Sequence, residues 1–64
     1  MQIDLLLEKL AKPAQRAIQN AGITTFDQLS KYSEKEVSQF HGIGQKALNV
    51  IKEEMKEKGF NFTA

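Results

Sequence analysis

Hydrophobic residues recur every three or four positions along most of this chain, which is the spacing of amphipathic helices. The repeating positions fall into four groups: Ala14, Ala17, Ile18 and Ala21; Phe26 and Leu29; Val37 and Phe40; and Ala47, Leu48, Ile51 and Met55. The leucine-rich stretch before Pro13 repeats the spacing and predicts a further short helix. Alternation typical of a half-buried strand is nowhere sustained. The pattern therefore predicts an all-α fold, a compact bundle of four to five short helices.

Capping residues mark where these helices begin and end. Ser33 and Glu36 have the spacing of a capping box, in which each side chain accepts from the backbone amide of the other residue. Thr25 and Gln28 repeat the arrangement in weaker form, and Pro13 suits a first helical turn because no amide donor is needed there. Helix ends are predicted before Gly22, Gly42 and Gly59.

Two segments of the chain resemble each other at a separation of 20 residues. Ala-Gly-Ile at 21–23 aligns with His-Gly-Ile at 41–43. Two units of helix, Gly-Ile turn and helix explain the similarity, and chance is the alternative.

The amino-acid composition restricts the classes of function that the protein can have. The formal net charge is +1, so there is no strong overall field and any contact with a polyanion must be local. The chain has no cysteine, and the single histidine, His41, cannot form a conventional metal site alone. Neither a catalytic triad spacing nor paired carboxylates stand out. We therefore expect no enzymatic activity, cofactor, metal or small-molecule substrate.

Location and surface character follow from the same composition. Absence of cysteine suits a reducing compartment, and no signal peptide or membrane span is recognisable, so a cytoplasmic protein without membrane contact is expected. The nearly balanced charged run at 52–58 is interpreted as a solvated helix face.

The Gly-Ile-Gly turn at 42–44 is the main candidate site. It runs into a predicted helix start, where the amides of Gly44, Gln45, Lys46 and Ala47 have no intrahelical acceptor. Such a helix start attracts anions, and Lys46 adds a full positive charge. The structural alternative is that Gly42 ends a helix and Gly44 only allows close backbone packing, and the turn alone does not decide between them.

With its flanking helices, this turn resembles a helix-hairpin-helix motif. The resemblance implies that the hairpin backbone and a nearby lysine hold one DNA phosphate, and that a small residue at Ala47 lets the two helices pack closely. It also implies a tandem (SAM-like) pair with a degenerate first hairpin, in which Thr24 replaces the second glycine. The hydroxyls of Thr24 and Thr25 would then donate to a phosphate.

The run RAIQNAGITTFDQLSKYSEKEVSQFHGIGQKALNVIKEEMKEKGFNF, residues 16 to 62, resembles the C-terminal domain of the bacterial RNA polymerase alpha subunit. That family grips the DNA minor groove with an arginine, an asparagine and a Lys-Ser pair. Here the arginine, asparagine and serine positions are occupied by Pro13, Gly42 and Ala47. Lys46, Gly44 and Arg16 remain as the matching contact residues. The resemblance thus implies that phosphate holding is retained while groove reading is lost.

These observations predict one domain, residues 1–64, that binds DNA weakly through backbone phosphate and without sequence preference. With roughly two to four phosphates neutralised, affinity should fall with salt at a double-logarithmic slope of about −2 to −4. A protein of the transcription or repair machinery is the partner expected besides DNA. The alternative is a protein-interaction module of the same fold, using exposed Leu5, Leu6 or Phe62.

Four segments are predicted within this domain, and the protein is expected to be a stand-alone relative of the family. The segments are an N-terminal helical extension (1–12), a degenerate first hairpin unit (13–29), a second hairpin unit (33–58) and a tail (59–64) whose two phenylalanines fold back over the bundle.

Overall fold

Five helices make up the regular structure between residues 2 and 63, which are the residues that the structure, a computed structural model, describes. They are α1 (Asp4–Glu8), α2 (Lys12–Asn20), α3 (Phe26–Leu29), α4 (Glu34–Ser38) and α5 (Gln45–Glu57). Within this range β-pairing is limited to two isolated bridges. The predicted all-α fold is confirmed. Met1 and Ala64, which the predicted domain includes, lie outside the described residues.

Both predicted capping boxes are formed. The amide of Glu36 donates to the Ser33 hydroxyl over 3.0 Å, and the amide of Ser33 donates to the Glu36 carboxylate over 2.8 Å. Thr25 and Gln28 make the same reciprocal pair, with distances of 3.1 and 3.2 Å. Pro13 lies in the first turn of α2, as expected for a residue without an amide donor. Side-chain capping therefore fixes the starts of α3 and α4.

A single hydrophobic core connects all five helices. α1 and α4 both pack against α5, the longest helix, which buries Leu48, Ile51 and Met55 along one face. The 13 buried hydrophobic residues are Ile3, Leu6, Leu10, Ala14, Ile18, Ile23, Phe26, Leu29, Val37, Ile43, Leu48, Ile51 and Met55. Because each of the four shorter helices, α1 to α4, contributes only one or two of these residues, the helices depend on one another for stability.

The tail folds back over the bundle, as the sequence predicts. Phe60 stacks on Phe26 with ring centroids 5.7 Å apart. The amide of Thr63 donates to the carbonyl of Tyr32 over 3.0 Å, next to the start of α4. Phe62 is half-buried. The tail thus closes the side of the core formed by α3 and α5.

The charged run on α5 is not wholly solvated, contrary to the prediction. The Glu54 side chain is only 8% exposed, and its Oε2 lies 2.7 Å from Nζ of Lys9, the residue that follows α1. This hydrogen bond is the main reason that the pKa of Glu54 is lowered and the pKa of Lys9 is raised. Sequence spacing suggests only a pairing of Glu54 with Lys58 along the helix, because nothing local brings α1 against α5.

The hydrophobic patch expected on the surface is also smaller than predicted. Leu6 is fully buried in the core, whereas Leu5 is 65% exposed. Adjacent helical positions point in directions about 100° apart, so only one of two neighbouring leucines can face the bundle.

Candidate nucleic-acid interface

The second hairpin connects α4 to α5 through a turn and an extended residue. α4 ends at Ser38, and the amide of Ile43 donates to the carbonyl of Phe40 over 3.1 Å. Gly42 lies within this turn at φ 101°, and Ile43 is buried. Gly42 therefore has the left-handed conformation that suits a glycine. The sequence predicts that Gly42 directly follows the helix end, but in the structure it belongs to a separate turn after α4.

Gly42 packs directly on the first turn of α2. A Cβ atom at this position would lie 2.5 Å from the Pro13 carbonyl oxygen, which is closer than real Cβ contacts. The hairpin can approach α2 this closely only because residue 42 has no side chain. This contact brings positions 13 and 42 together, although they are far apart in the sequence.

Among the described residues, the first amides of α5 have no hydrogen-bond acceptor. The first hydrogen bond of this helix runs from the amide of Leu48 to the carbonyl of Gly44, over 3.0 Å. The four preceding amides, from Gly44 to Ala47, have no acceptor among residues 2–63. Gly44 and Lys46 are exposed, and apart from its chain neighbours no atom lies within 4 Å of the place where a Cβ of Gly44 would be. We name the backbone amides of Gly44 to Ala47 the donor corner; its first three residues are exposed, and a helix start of this kind favours an anion.

Side chains at this corner leave the amides accessible. The Gln45 carboxamide donates to Asn49 over 3.0 Å, one turn further along α5, and so is held along the helix. Lys46 has no ion-pair partner among the described residues. The corner thus combines roughly half a positive charge from the helix end with one free ammonium group.

A cleft of about 370 Å³ adjoins this corner, and we name it the hairpin cleft. Its wall is formed by the end of α1, the start of α2, the hairpin and the first turns of α5. The lining residues are Lys9, Leu10, Ala11, Pro13, Ala14, Gly42, Gly44, Lys46, Ala47 and Val50. Apart from those of the two lysines, the side chains on this wall have no polar atoms. The three positions at which the resemblance places groove-reading residues, Pro13, Gly42 and Ala47, all lie on it.

The first hairpin has a similar backbone but satisfies its own donors. Gly22 has φ 76° and is followed by buried Ile23, as Gly42 is followed by Ile43. The amide and hydroxyl of Thr24 and the amide of Thr25 all donate to Oε1 of Gln28, over 2.6, 2.9 and 3.2 Å. Thr25 also forms a β-bridge with Gln2. A phosphate at Thr24 and Thr25 would have to displace Gln28.

The remaining predicted residue, Arg16, is exposed on α2, one turn after Pro13. Exposed Lys12 lies four positions before it on the same helix, so the two form a short basic row on α2, and neither of them lines the hairpin cleft. Lys9, Leu10 and Val50 line the cleft but were not predicted as site residues. No local signal marks them, because their position depends on how α1 and α5 pack.

Two further features complete the surface. His41 is exposed, and among residues 2–63 no group of three or more His, Cys, Asp or Glu side chains is close enough to hold a metal. No helix in the described range has the length and hydrophobicity needed to cross a membrane.

Comparison with known proteins identifies the family. Residues 7–57 match the model of the family described as the C-terminal domain of the bacterial RNA polymerase alpha chain. No curated protein and no solved structure matches the sequence. The matched range runs from the last two residues of α1 to the last residue of α5, and it includes both hairpins and every residue that lines the hairpin cleft. The protein therefore belongs to the family of C-terminal domains of the bacterial RNA polymerase alpha chain.

Proposed function

We propose that this protein is a non-enzymatic DNA-binding module that holds a backbone phosphate at the start of α5. The observation that carries the proposal is the set of four amides, Gly44 to Ala47, that have no acceptor among residues 2–63, at a helix start where Gly44, Gln45 and Lys46 are exposed. The family is a non-catalytic DNA-binding domain of transcription, which favours DNA as the source of the phosphate.

Binding is expected to be independent of sequence. Reading of base edges requires hydrogen-bonding or matched apolar side chains inside a groove. The side chains at Pro13, Gly42 and Ala47 offer no hydrogen-bond donor or acceptor, and a longer side chain at Gly42 would collide with Pro13. Phosphate contacts position a protein on DNA but carry no sequence information.

The contact set is small, so affinity should be low and sensitive to salt. It consists of the amides at the start of α5, the Lys46 ammonium, and the basic row of Arg16 and Lys12. Neutralising two or three phosphates predicts a double-logarithmic salt slope of about −2 to −3 and a dissociation constant in the micromolar range or weaker at physiological salt.

Charge reversal at Lys46 tests the proposal. A short fluorescent duplex is titrated with the wild-type protein, Lys46→Glu and Lys56→Glu at several salt concentrations. Lys56 is an exposed lysine at the other end of α5, so Lys56→Glu makes the same change of charge at a distance from the hairpin. An acidic residue in the first turn favours a helix, so Lys46→Glu should not unfold α5. We expect binding to be lost in Lys46→Glu and largely kept in Lys56→Glu, and equal losses would refute the site.

Amide chemical-shift mapping locates the contact independently. On addition of duplex, the largest shifts should fall at Gly44 to Ala47. The amides of Thr24 and Thr25 should shift little, because Gln28 already accepts their hydrogen bonds. Largest shifts at the first hairpin would place the phosphate there and contradict the proposed site.

The family also supplies the cellular context of the proposal. Its place in transcription supports a cytoplasmic location and a protein partner in that machinery. The alternative of a protein-interaction module without DNA binding receives no specific support from the surface, because a single exposed leucine such as Leu5 is ordinary in soluble proteins.

A further inference from the structure

One of the two lysines that line the hairpin cleft is paired with a carboxylate of α5. Lys9 and Lys46 both line the cleft. Nζ of Lys9 lies 2.7 Å from Oε2 of Glu54, whereas Lys46 has no ion-pair partner among the described residues. A phosphate beside the paired lysine would also be repelled by the carboxylate of Glu54, so the pair attracts an anion much less than a free ammonium does.

Burial makes this ion pair one-sided. The Glu54 side chain is only 8% exposed, whereas the Lys9 side chain is 55% exposed. Water can therefore solvate the ammonium of Lys9 if the pair opens, but it has little access to the carboxylate. A buried charge that loses its partner is strongly destabilising. A phosphate that recruits Lys9 must therefore overcome the cost of leaving Glu54 buried and unpaired.

We infer that Glu54 competes with phosphate for Lys9 and thereby limits the affinity of the hairpin cleft for DNA. This inference rests on the proposed function. Lysine carries its charge on a flexible four-carbon stem, so an ammonium released from Glu54 can turn into the cleft that Lys9 already lines. The same ion pair that joins Lys9 to α5 thus withholds one phosphate contact from the site.

Two substitutions of Glu54 test the inference in titrations of a fluorescent duplex at several salt concentrations. Glu54→Gln keeps the shape of the side chain and removes its charge. Glu54→Met removes the carboxylate oxygens as well, and an apolar replacement for a buried ionic group is often tolerated. We expect affinity to rise about two- to five-fold in both variants, the gain that corresponds to one exposed ion pair. The double-logarithmic salt slope should steepen by about one, because one more phosphate is neutralised.

Two further variants separate release of Lys9 from a change of net charge. Glu53→Gln makes the same change of charge at the preceding position of α5, where the side chain is exposed and attracts Lys9 without a hydrogen bond. It should raise affinity less and leave the salt slope unchanged. Lys9→Gln combined with Glu54→Gln should remove the gain, because the released cation is then absent. Circular dichroism checks that each variant is folded.

The outcomes separate this inference from the proposed function. Unchanged or weaker binding by both folded Glu54 variants overturns the competition while phosphate binding stands. A gain that Glu53→Gln matches, or that persists without Lys9, is an effect of net charge and also overturns it. Absence of salt-dependent binding in the wild type and in every variant overturns both.

Discussion

Substitution of Gly42 by alanine should destabilise the fold more than the same substitution at the other two hairpin glycines. At Gly42 two costs combine. The backbone has φ 101°, and the new Cβ would lie 2.5 Å from the Pro13 carbonyl oxygen. Gly22 has φ 76° with no atom within 4 Å, so it bears only the first cost. Gly44 has φ −97° and no close atom, so it bears neither.

These differences convert to free energies of unfolding. A left-handed alanine costs about 1 to 2 kcal/mol, which is the expected loss at Gly22. Relief of the clash at Gly42 requires a backbone shift and adds about 1 to 3 kcal/mol, for a total of about 2 to 5 kcal/mol. Gly44→Ala should change stability by less than about 1 kcal/mol. The effect of each glycine on the unfolded state is the same, so it cancels between the variants.

Urea denaturation followed by circular dichroism measures the series. A domain of 64 residues is expected to have a total stability of about 3 to 10 kcal/mol, so the loss at Gly42 should be a large part of the whole. The expected order of stability is Gly44→Ala, then Gly22→Ala, then Gly42→Ala. Equal losses at Gly42 and Gly22 would show that α2 does not pack on the hairpin as described, and the hairpin cleft would then lose one wall.

Three further measurements test other parts of the structure. Lys9 lowers the pKa of Glu54 in the folded state, so the Glu54–Lys9 pair should contribute its full stability above the ordinary pKa of 4.5 and lose it as pH falls through the lowered pKa. The stability of Glu54→Gln should therefore depend less on pH in that range. Identical acid denaturation profiles for the variant and the wild type would contradict the pairing. Ser33→Ala should cost about 1 kcal/mol in urea denaturation by removing the cap of α4, whereas Ser38→Ala, outside any cap, should cost less. Phe60→Ala should cost about 3 kcal/mol or somewhat less, since the ring is half-buried, and a loss below about 1 kcal/mol would show that the tail does not cover the core.

Local rules explain why most of the helices could be predicted from the sequence. Capping boxes at Thr25 and Ser33 act over three residues, so their hydrogen bonds are encoded in a short segment. The left-handed conformation of Gly22 and Gly42 is also predictable from the local sequence, because glycine adopts it more readily than any other residue type. The donor corner at the start of α5 was predictable for the same reason, because any helix begins with unpaired amides.

The chemistry around that corner was decided by packing between distant segments. Glu54 belongs to a charged run that would be solvated in an isolated helix, but the approach of α1 buries it against Lys9, 45 residues away. That the donors of the first hairpin are already paired could be predicted only in part. The sequence predicts that Gln28 caps Thr25, but not that Gln28 also accepts hydrogen bonds from Thr24.

The sequence by itself determined four to five helices, two capping boxes and the donor corner, because these follow from interactions within a few residues of one another. Only the tertiary structure decided that Pro13 lies on Gly42 and that α1, α2 and α5 enclose an apolar cleft beside the corner. These contacts depend on how helices from opposite ends of the sequence pack around a shared core, and no local pattern of residues specifies that geometry.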